Sequence, residues 1–277
     1  MSKHIKSSIH FLTPSTLHHV EKPYAFRYAV DGFPQTNFEN GEVHEVNITD
    51  IRGHEEEFKY DTHGFAVLHL KQHFEYDIFW NETLVQAYFY ELEIILKEHL
   101  HATEVRVFRH GLRKRDPAFP ISTGESYAYD QPTSVAHIDT TPKEAANEIR
   151  RQYGGDADQF LKRRHQWVNI WKPLKGPLND WPLAVCASST LTEKNIEAAD
   201  LLYPDLATEN YQVYYSKDYQ WYYLSDHDVS EIIIFKQSDS NPSACPGVAH
   251  CSFYNPRAST HELPRESIEV RALAFFE

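Results

Sequence analysis

Metal chemistry is the first thing the residue types offer. The segment Ser134-Val-Ala-His137-Ile-Asp139 places an imidazole and a carboxylate two positions apart. In an extended strand such residues project to one face, so His137 and Asp139 are able to share one ion. A late segment, Val248-Ala-His250-Cys-Ser-Phe, adds a second histidine. Two imidazoles and one carboxylate on one side of a metal leave neighbouring positions open, the arrangement associated with non-haem Fe(II) and dioxygen chemistry. Those positions would take the two oxygens of a 2-oxo acid and then O2.

The dipeptide spacing alone is weak. With 17 His and 40 acidic residues, a His followed two positions later by Asp or Glu is expected about two or three times by chance. It occurs at His19/Glu21, His54/Glu56, His73/Glu75 and His137/Asp139. Only the last lies in an alternating, strand-like stretch that is followed by a late His-bearing segment and then an Arg-bearing one. His54 opens an acidic run that reads as a solvated loop.

A dicarboxylic oxo acid such as 2-oxoglutarate needs a cation for its far carboxylate, and the planar Arg fork matches a carboxylate better than Lys does. Arg265 with Ser267 beside it gives an Arg-x-Ser pair on one strand face, and Arg271 shares that face. Arg265 is the preferred anchor, with Arg271 and then Arg257 behind it. Trp167, Asn169 and Trp171 form another same-face set. For them core packing competes with a role in which Asn169 donates to the co-substrate and a tryptophan walls the substrate pocket. No groups beyond the metal ligands are singled out as catalytic. The chain lacks a Gly-x-Ser-x-Gly elbow, a phosphate-cradling glycine loop, a dinucleotide fingerprint and a paired-Cys zinc site.

The elements that must position these residues follow from periodicity. Short apolar runs at Ser8 to Leu12, Val46 to Ile51 and Phe65 to Leu70 read as strands. Glu82 to His101, capped by Asn81, carries apolar residues at three- and four-residue spacings and predicts a helix; Lys143 to Tyr153 predicts another, with Pro142 in its first turn. Glu104 to Arg109, Ser134 to Asp139, Gln166 to Trp171, Leu183 to Ser188, Tyr211 to Tyr215, Gln220 to Leu224, Glu231 to Phe235, Val248 to Phe253 and Ser267 to Phe276 are strand-like. Many short strands with little helix between them predict a mainly β barrel or sandwich with flanking helices. The 277 residues fit one domain, in which 1–125 supplies strands and a helix that support a core of 126–277.

Acidic residues outnumber basic ones 40 to 27, for a formal charge of -13, which repels nucleic-acid phosphate and anionic lipid. The one dense basic run, Arg109 to Arg115, reads as a solvated strand end. Three cysteines cannot form a fully paired framework and suit a reducing compartment. The N-terminus has no signal-peptide core and no stretch reaches membrane-spanning length, so a cytoplasmic location is expected, with a small molecule as partner and an undetermined oligomeric state. The aromatic content points to an apolar, ring-containing substrate.

Taken together, His137-x-Asp139-x-Thr141, QWVNIWKPLKGPLNDWP from Gln166 to Pro182, QWYYLSDHDVSEIIIFKQSD from Gln220 to Asp239, His250-Cys-Ser-Phe and Arg265-Glu-Ser-Ile-Glu-Val-Arg resemble the fungal gibberellin desaturase and cephem methoxylase-like oxygenases. The resemblance is strong over the second half of the chain and loose over the first. It implies a double-stranded β-helix (jelly roll), Fe(II) held by His137, Asp139 and His250, 2-oxoglutarate as co-substrate with O2, and hydroxylation or desaturation of a secondary metabolite. Lys172 and Ala249 depart from that pattern, where Arg and Pro are common; both bear on the pocket and leave the metal ligands intact. The competing readings are a cupin-type metal hydrolase or isomerase and a catalytically inactive jelly-roll binding protein.

Overall fold

A computed structural model describes residues 4–121, 127–241 and 244–277. Among these residues the strands form two sheets that face one another. The larger runs β1 (His4–Phe11), β3 (Glu42–Asp50), β11 (Trp221–Tyr223), β8 (Leu183–Cys186), β13 (His250–Ser252), β6 (His137–Ile138), β10 (Ala207–Val213), β9 (Ile196–Leu202) and β2 (Tyr24–Phe26). The smaller runs β4 (Phe65–His69), β12 (Glu231–Asp239), β7 (His165–Pro173), β14 (Glu266–Phe275) and β5 (Glu104–Lys114). Neighbouring strands in both sheets come from distant parts of the chain, and the two layers close as a jelly roll, the double-stranded β-helix expected from the sequence. The boundary placed near residue 125 lies outside the described residues.

β7 and β12, inside the smaller sheet, are buried along their whole length on both faces, and this explains why their apolar residues, Trp167, Val168, Ile170 and Trp171 on one and Ile232 to Phe235 on the other, do not simply alternate with polar ones. Its outer face, with Val168, Ile170, Ile232, Ile234, Ile268 and Val270, packs on α2 (Gln86–Leu100). The helix offers Tyr88, Leu92, Ile95 and Leu96 to that face, at the spacing of one helical stripe. It begins four residues later than the periodicity predicts. Asn81 accepts from the N–H groups of Thr83 and Leu84 and closes a turn ahead of the helix proper.

The inner face of the smaller sheet carries Trp167, Asn169 and Trp171 on β7 and Ser267, Glu269 and Arg271 on β14, with Arg271 opposite Asn169. On the larger sheet, β6 is short but sits centrally, paired with β13 through His250 and His137 and with β10 through Gln212 and His137. Two further helices close one end of the barrel, α3 (Pro142–Tyr153) and α4 (Ala157–Leu161), burying Ala145, Ile149 and Ala157 against Trp167 and Phe275. Thr141 caps α3 by accepting from the Glu144 N–H, and Pro142 takes the first-turn position. A one-turn helix, α1 (Tyr60–His63), ends at Gly64 with φ 81°. A side chain at Gly64 would also collide with Val248 and Ser188, so this turn lies tight against the loop that leads into β13.

Several predicted strands shift at their ends. β5 continues to Lys114, five residues past the apolar pattern, because its pairing with β14 holds it extended. Strand β9, half-buried except at Ala199, carries no strong alternation and is missed by the pattern.

Candidate active site

His137 and His250 meet across the β6–β13 pair, their rings 4.4 Å apart. Each Nδ1 lies near the carbonyl two residues earlier, 2.8 Å from Val135 O for His137 and 3.4 Å from Val248 O for His250. An N–H donated at Nδ1 leaves both Nε2 atoms as free bases turned inward. Asp139 Oδ1 stands 3.3 Å from His137 Nε2 and 3.9 Å from His250 Nε2, and the three ligand atoms lie within 4.8 Å of one another. Ligands about 2.1 Å from one ion on a shared octahedral face stand about 3 Å apart, a spacing that His137 and Asp139 nearly hold already and that the wider pairs would reach by closing about 1–2 Å.

The carboxylate is committed to this geometry from its other side. Oδ2 accepts from Asn169 Nδ2 at 2.7 Å and lies 2.9 Å from Arg271 Nη2. Asn169 is itself held by Trp167, whose Nε1 donates to Asn169 Oδ1 at 2.9 Å. Oδ1 is thus left for an ion. Burial alone would raise the Asp139 carboxyl, but Arg271 and the two imidazoles outweigh it and hold the group well below the usual carboxylate range. Burial, and then the His137 charge, push His250 down to about 3, keeping it neutral as a ligand must be. The donor set therefore fits a divalent metal with a borderline preference for N and O ligands.

For Asn169 the sequence leaves core packing and donation to the co-substrate in competition; in the structure its Nδ2 donates to Asp139, because β7 brings it opposite Arg271 and beside the carboxylate. Arg271 likewise lies between Asp139 and Glu269, at 2.9 and 3.3 Å, so its guanidinium is already paired with side-chain carboxyl groups. Arg265 differs. It is 3% exposed and makes no side-chain carboxylate salt bridge among the described residues. Its Nε donates to Ser267 Oγ at 3.0 Å, its Nη1 donates to Trp181 O at 2.7 Å, and its guanidinium lies 4.8 Å over the Trp171 ring. Burial and the nearby Arg113 push Arg265 down to about 9, a cation short of an anion. A narrow cavity connects it with His137 and His250. Trp171 thus floors Arg265, while Trp167 lines a larger cavity of about 560 Å³ that opens on His137 and Asp139. Arg257, the third anchor candidate, donates through Nη2 to the His4 carbonyl.

The remaining His-x-acid pairs stay on the surface. His73 and Glu75 form a 3.5 Å pair with both side chains largely exposed, and His54 pairs with Glu57.

Two residues escaped the sequence reading. Gln237, fully buried, accepts from the Asp139 N–H at 2.6 Å through Oε1 and donates from Nε2 to Val248 O at 2.9 Å and Lys236 O at 3.1 Å. It ties the segment bearing Asp139 to the segment bearing His250. Gly247 makes room for this, since a Cβ there would lie 2.6 Å from Gln237 O, and its φ of 153° also disfavours a side chain. Polar residues Lys236-Gln237 directly after the apolar run Ile232 to Phe235 are the available signal. The second is Glu269, raised by burial and by Asp139, with Oε2 3.9 Å from His250 Nε2.

Comparison with known proteins agrees with this geometry. A family profile described as an oxidoreductase/YMDC permease-like domain matches residues 9–275. The Fe(II)/2-oxoglutarate-dependent dioxygenase nvfI of Aspergillus novofumigatus is 32% identical over 253 residues, covering 88% of this chain and 87% of that protein. The hydroxylase/desaturase poxK of Penicillium oxalicum is 28% identical, over 88% of this chain and 82% of its own. A solved structure of the iron and alpha-ketoglutarate-dependent endoperoxidase NvfI superposes with a TM-score of 0.86 at 28% identity, covering 99% of this chain and 98% of that one. No helix of the described residues is long and apolar enough to cross a membrane. The chain belongs to the family of Fe(II)/2-oxoglutarate-dependent dioxygenases, oxidoreductases that take ferrous iron, 2-oxoglutarate and O2.

Proposed function

We propose that this enzyme hydroxylates or desaturates a small secondary metabolite, with iron held by His137 Nε2, Asp139 Oδ1 and His250 Nε2 and with 2-oxoglutarate anchored at its far carboxylate by Arg265. The observation that carries this reading is the convergence of three free ligand atoms beside a buried guanidinium that has no carboxylate of its own. When bound, the iron with 2-oxoglutarate and O2 supplies the oxidising power for C–H cleavage, with succinate and CO2 as co-products. The protein's part is placement. Arg271, Asn169 and Gln237 fix Asp139; the Val135 and Val248 carbonyls fix the imidazole tautomers; Ser267 and Trp171 aim Arg265. The barrel wall excludes bulk water around Arg265, which strengthens its hold on an anion.

The whole chain acts as one domain in this reading. The acidic net charge of -13 disfavours nucleic acid and anionic membrane as partners, and the three free thiols fit a cytoplasmic setting. The test is an anaerobic titration of the metal-free protein with Fe(II) and then 2-oxoglutarate. A weak visible charge-transfer band on adding the oxo acid is the expected result. Metal binding without that band would leave a Lewis-acid hydrolase or isomerase, and no metal binding would refute the ligand set.

A further inference from the structure

The larger cavity beside the metal ligands differs from what the aromatic content of the chain implies. Most of the large aromatic side chains are spent in the cores, while the cavity wall is strongly polar and carries Arg27, Arg109, Arg113, Arg151 and Arg271. Their partners sort them. Arg151 is paired with Glu144 and Glu148, Arg271 with Asp139 and Glu269, and Arg109 Nη2 lies 3.9 Å from Glu148 Oε2. Arg113 is left with one backbone acceptor, Gln131 O at 2.6 Å from its Nη1, and has no side-chain carboxylate in salt-bridge reach among the described residues. Arg27, at the exposed mouth, has none either.

Arg113 is placed by strand geometry rather than by chance on the surface. β5 pairs with β14 so that Arg113 stands opposite Ser267 and Arg109 opposite Arg271. Residues two apart on β5 therefore share the inward face with the co-substrate anchor and the metal support. The basic run reads from sequence as a solvated strand end; pairing with β14 turns Arg109 and Arg113 toward the cleft instead. Arg113 lines the 560 Å³ cavity, a neighbouring cavity of about 460 Å³ and the narrow cavity that leads to Arg265. Two guanidinium groups, Arg113 and Arg265, thus face connected space; Glu269 lines the same narrow cavity but makes no salt bridge with either, its partner being Arg271, and the 2-oxoglutarate far carboxylate satisfies only one. A half-buried guanidinium with unused donors favours a carboxylate over a neutral ester or alcohol.

We propose that the substrate of this enzyme carries a carboxylate, received by Arg113, that orients it in the cavity beside His137 and Asp139. The proposal rests on the oxygenase reading of the site and adds the chemical class of its substrate. Arg113 is a binding residue for the substrate, distinct from Arg265, which serves the co-substrate.

The test uses the anaerobic protein saturated with Fe(II) and 2-oxoglutarate, so that the co-substrate site is filled and no turnover occurs. The probes are pyrene-1-butyrate and its methyl ester, which share a ring system and differ in charge, with binding read by fluorescence anisotropy. The acid should bind about tenfold or more tightly than the ester, the scale of one charge-assisted hydrogen bond. Arg113→Gln should abolish that preference with little change for the ester, and Arg113→Lys should keep part of it. Equal binding of acid and ester, no binding of either, or equal losses for both in the Arg113→Gln protein would overturn the proposal. Loss of the charge-transfer band in Arg113→Gln would also overturn it, by assigning Arg113 to 2-oxoglutarate. A band missing from the wild type, with the acid preference intact, would sink the oxygenase reading alone.

Discussion

Replacing Gln237 by Leu removes the cross-tie between the two ligand-bearing segments while keeping the side chain close to its original volume. Three hydrogen bonds go: the Asp139 N–H loses its acceptor at 2.6 Å, Val248 O loses a donor at 2.9 Å, and Lys236 O loses one at 3.1 Å. Lys236 O still accepts from the Val248 N–H at 2.8 Å and Val248 O keeps His250 Nδ1 at 3.4 Å, so one buried group, the Asp139 N–H, is stranded outright. A stranded buried group costs about 1–3 kcal/mol. Val248 O is also the acceptor that faces His250 Nδ1, and the Asp139 N–H belongs to a ligand residue, so part of this cost falls on the ligand geometry. Outer partners of metal ligands usually hold about 10- to 100-fold in affinity. The expected result is Fe(II) affinity reduced about 10- to 100-fold in anaerobic competition against a chelator, with the rest of the cost appearing in urea unfolding of the metal-free protein. A variant that loses stability yet binds Fe(II) within about twofold of wild type would show that Gln237 serves the fold and not the site, and would refute the reasoning.

Other perturbations separate the remaining roles. His137→Ala and Asp139→Ala should each abolish Fe(II) binding and succinate release with the circular dichroism of the fold retained, the unfolding midpoint staying near wild type for His137→Ala and falling for Asp139→Ala, which strands Asn169 Nδ2 and one side of Arg271; turnover in either variant removes that residue from the ligand set. Arg265→Met should raise the 2-oxoglutarate concentration needed for the charge-transfer band at least tenfold with metal binding retained, and if Arg271→Met does this while Arg265→Met does not, the anchor is Arg271. Lys172, whose Nζ lies 4.8 Å from the Phe79 ring centre and 5.6 Å from that of Tyr88, is pushed down by burial to about 8 from 10.5. Between those values the unfolded chain holds a proton that the folded chain has released, so stability rises with pH across that window, by up to about 3 kcal/mol. Lys172→Met should remove that rise and stabilise the protein near neutral pH; parallel wild-type and variant curves in urea unfolding from about pH 7 to about pH 10 would contradict the burial argument.

Much of the site is local in origin and for that reason was legible. His137 and Asp139 share a face because an extended segment alternates, and Arg265 with Ser267 does the same. Neither needs knowledge of a partner strand. The helices α2 and α3 announce themselves by apolar spacing and by Asn81, Thr141 and Pro142 near their starts. The jelly-roll class follows from many short apolar strands together with the family resemblance.

What the chain order hides is which faces meet. Asn169 and Arg271 lie 102 positions apart and become neighbours only through the β7–β14 register, which turns both onto Asp139 and away from the co-substrate role weighed for Asn169. Gln237 is 98 positions from Asp139, and nothing in its local pattern names its partner. The inward turn of Arg113 depends on pairing with Ser267, without which Arg109 to Arg115 is only a basic strand end. Side-chain period, capping and composition are properties of neighbours along the chain, so the sequence by itself determined the metal ligands' spacing, the Arg-x-Ser pair and the β-rich class. Register, charge pairing and the polar character of the cavity arise from contacts between strands far apart in sequence, and only the tertiary structure decided them.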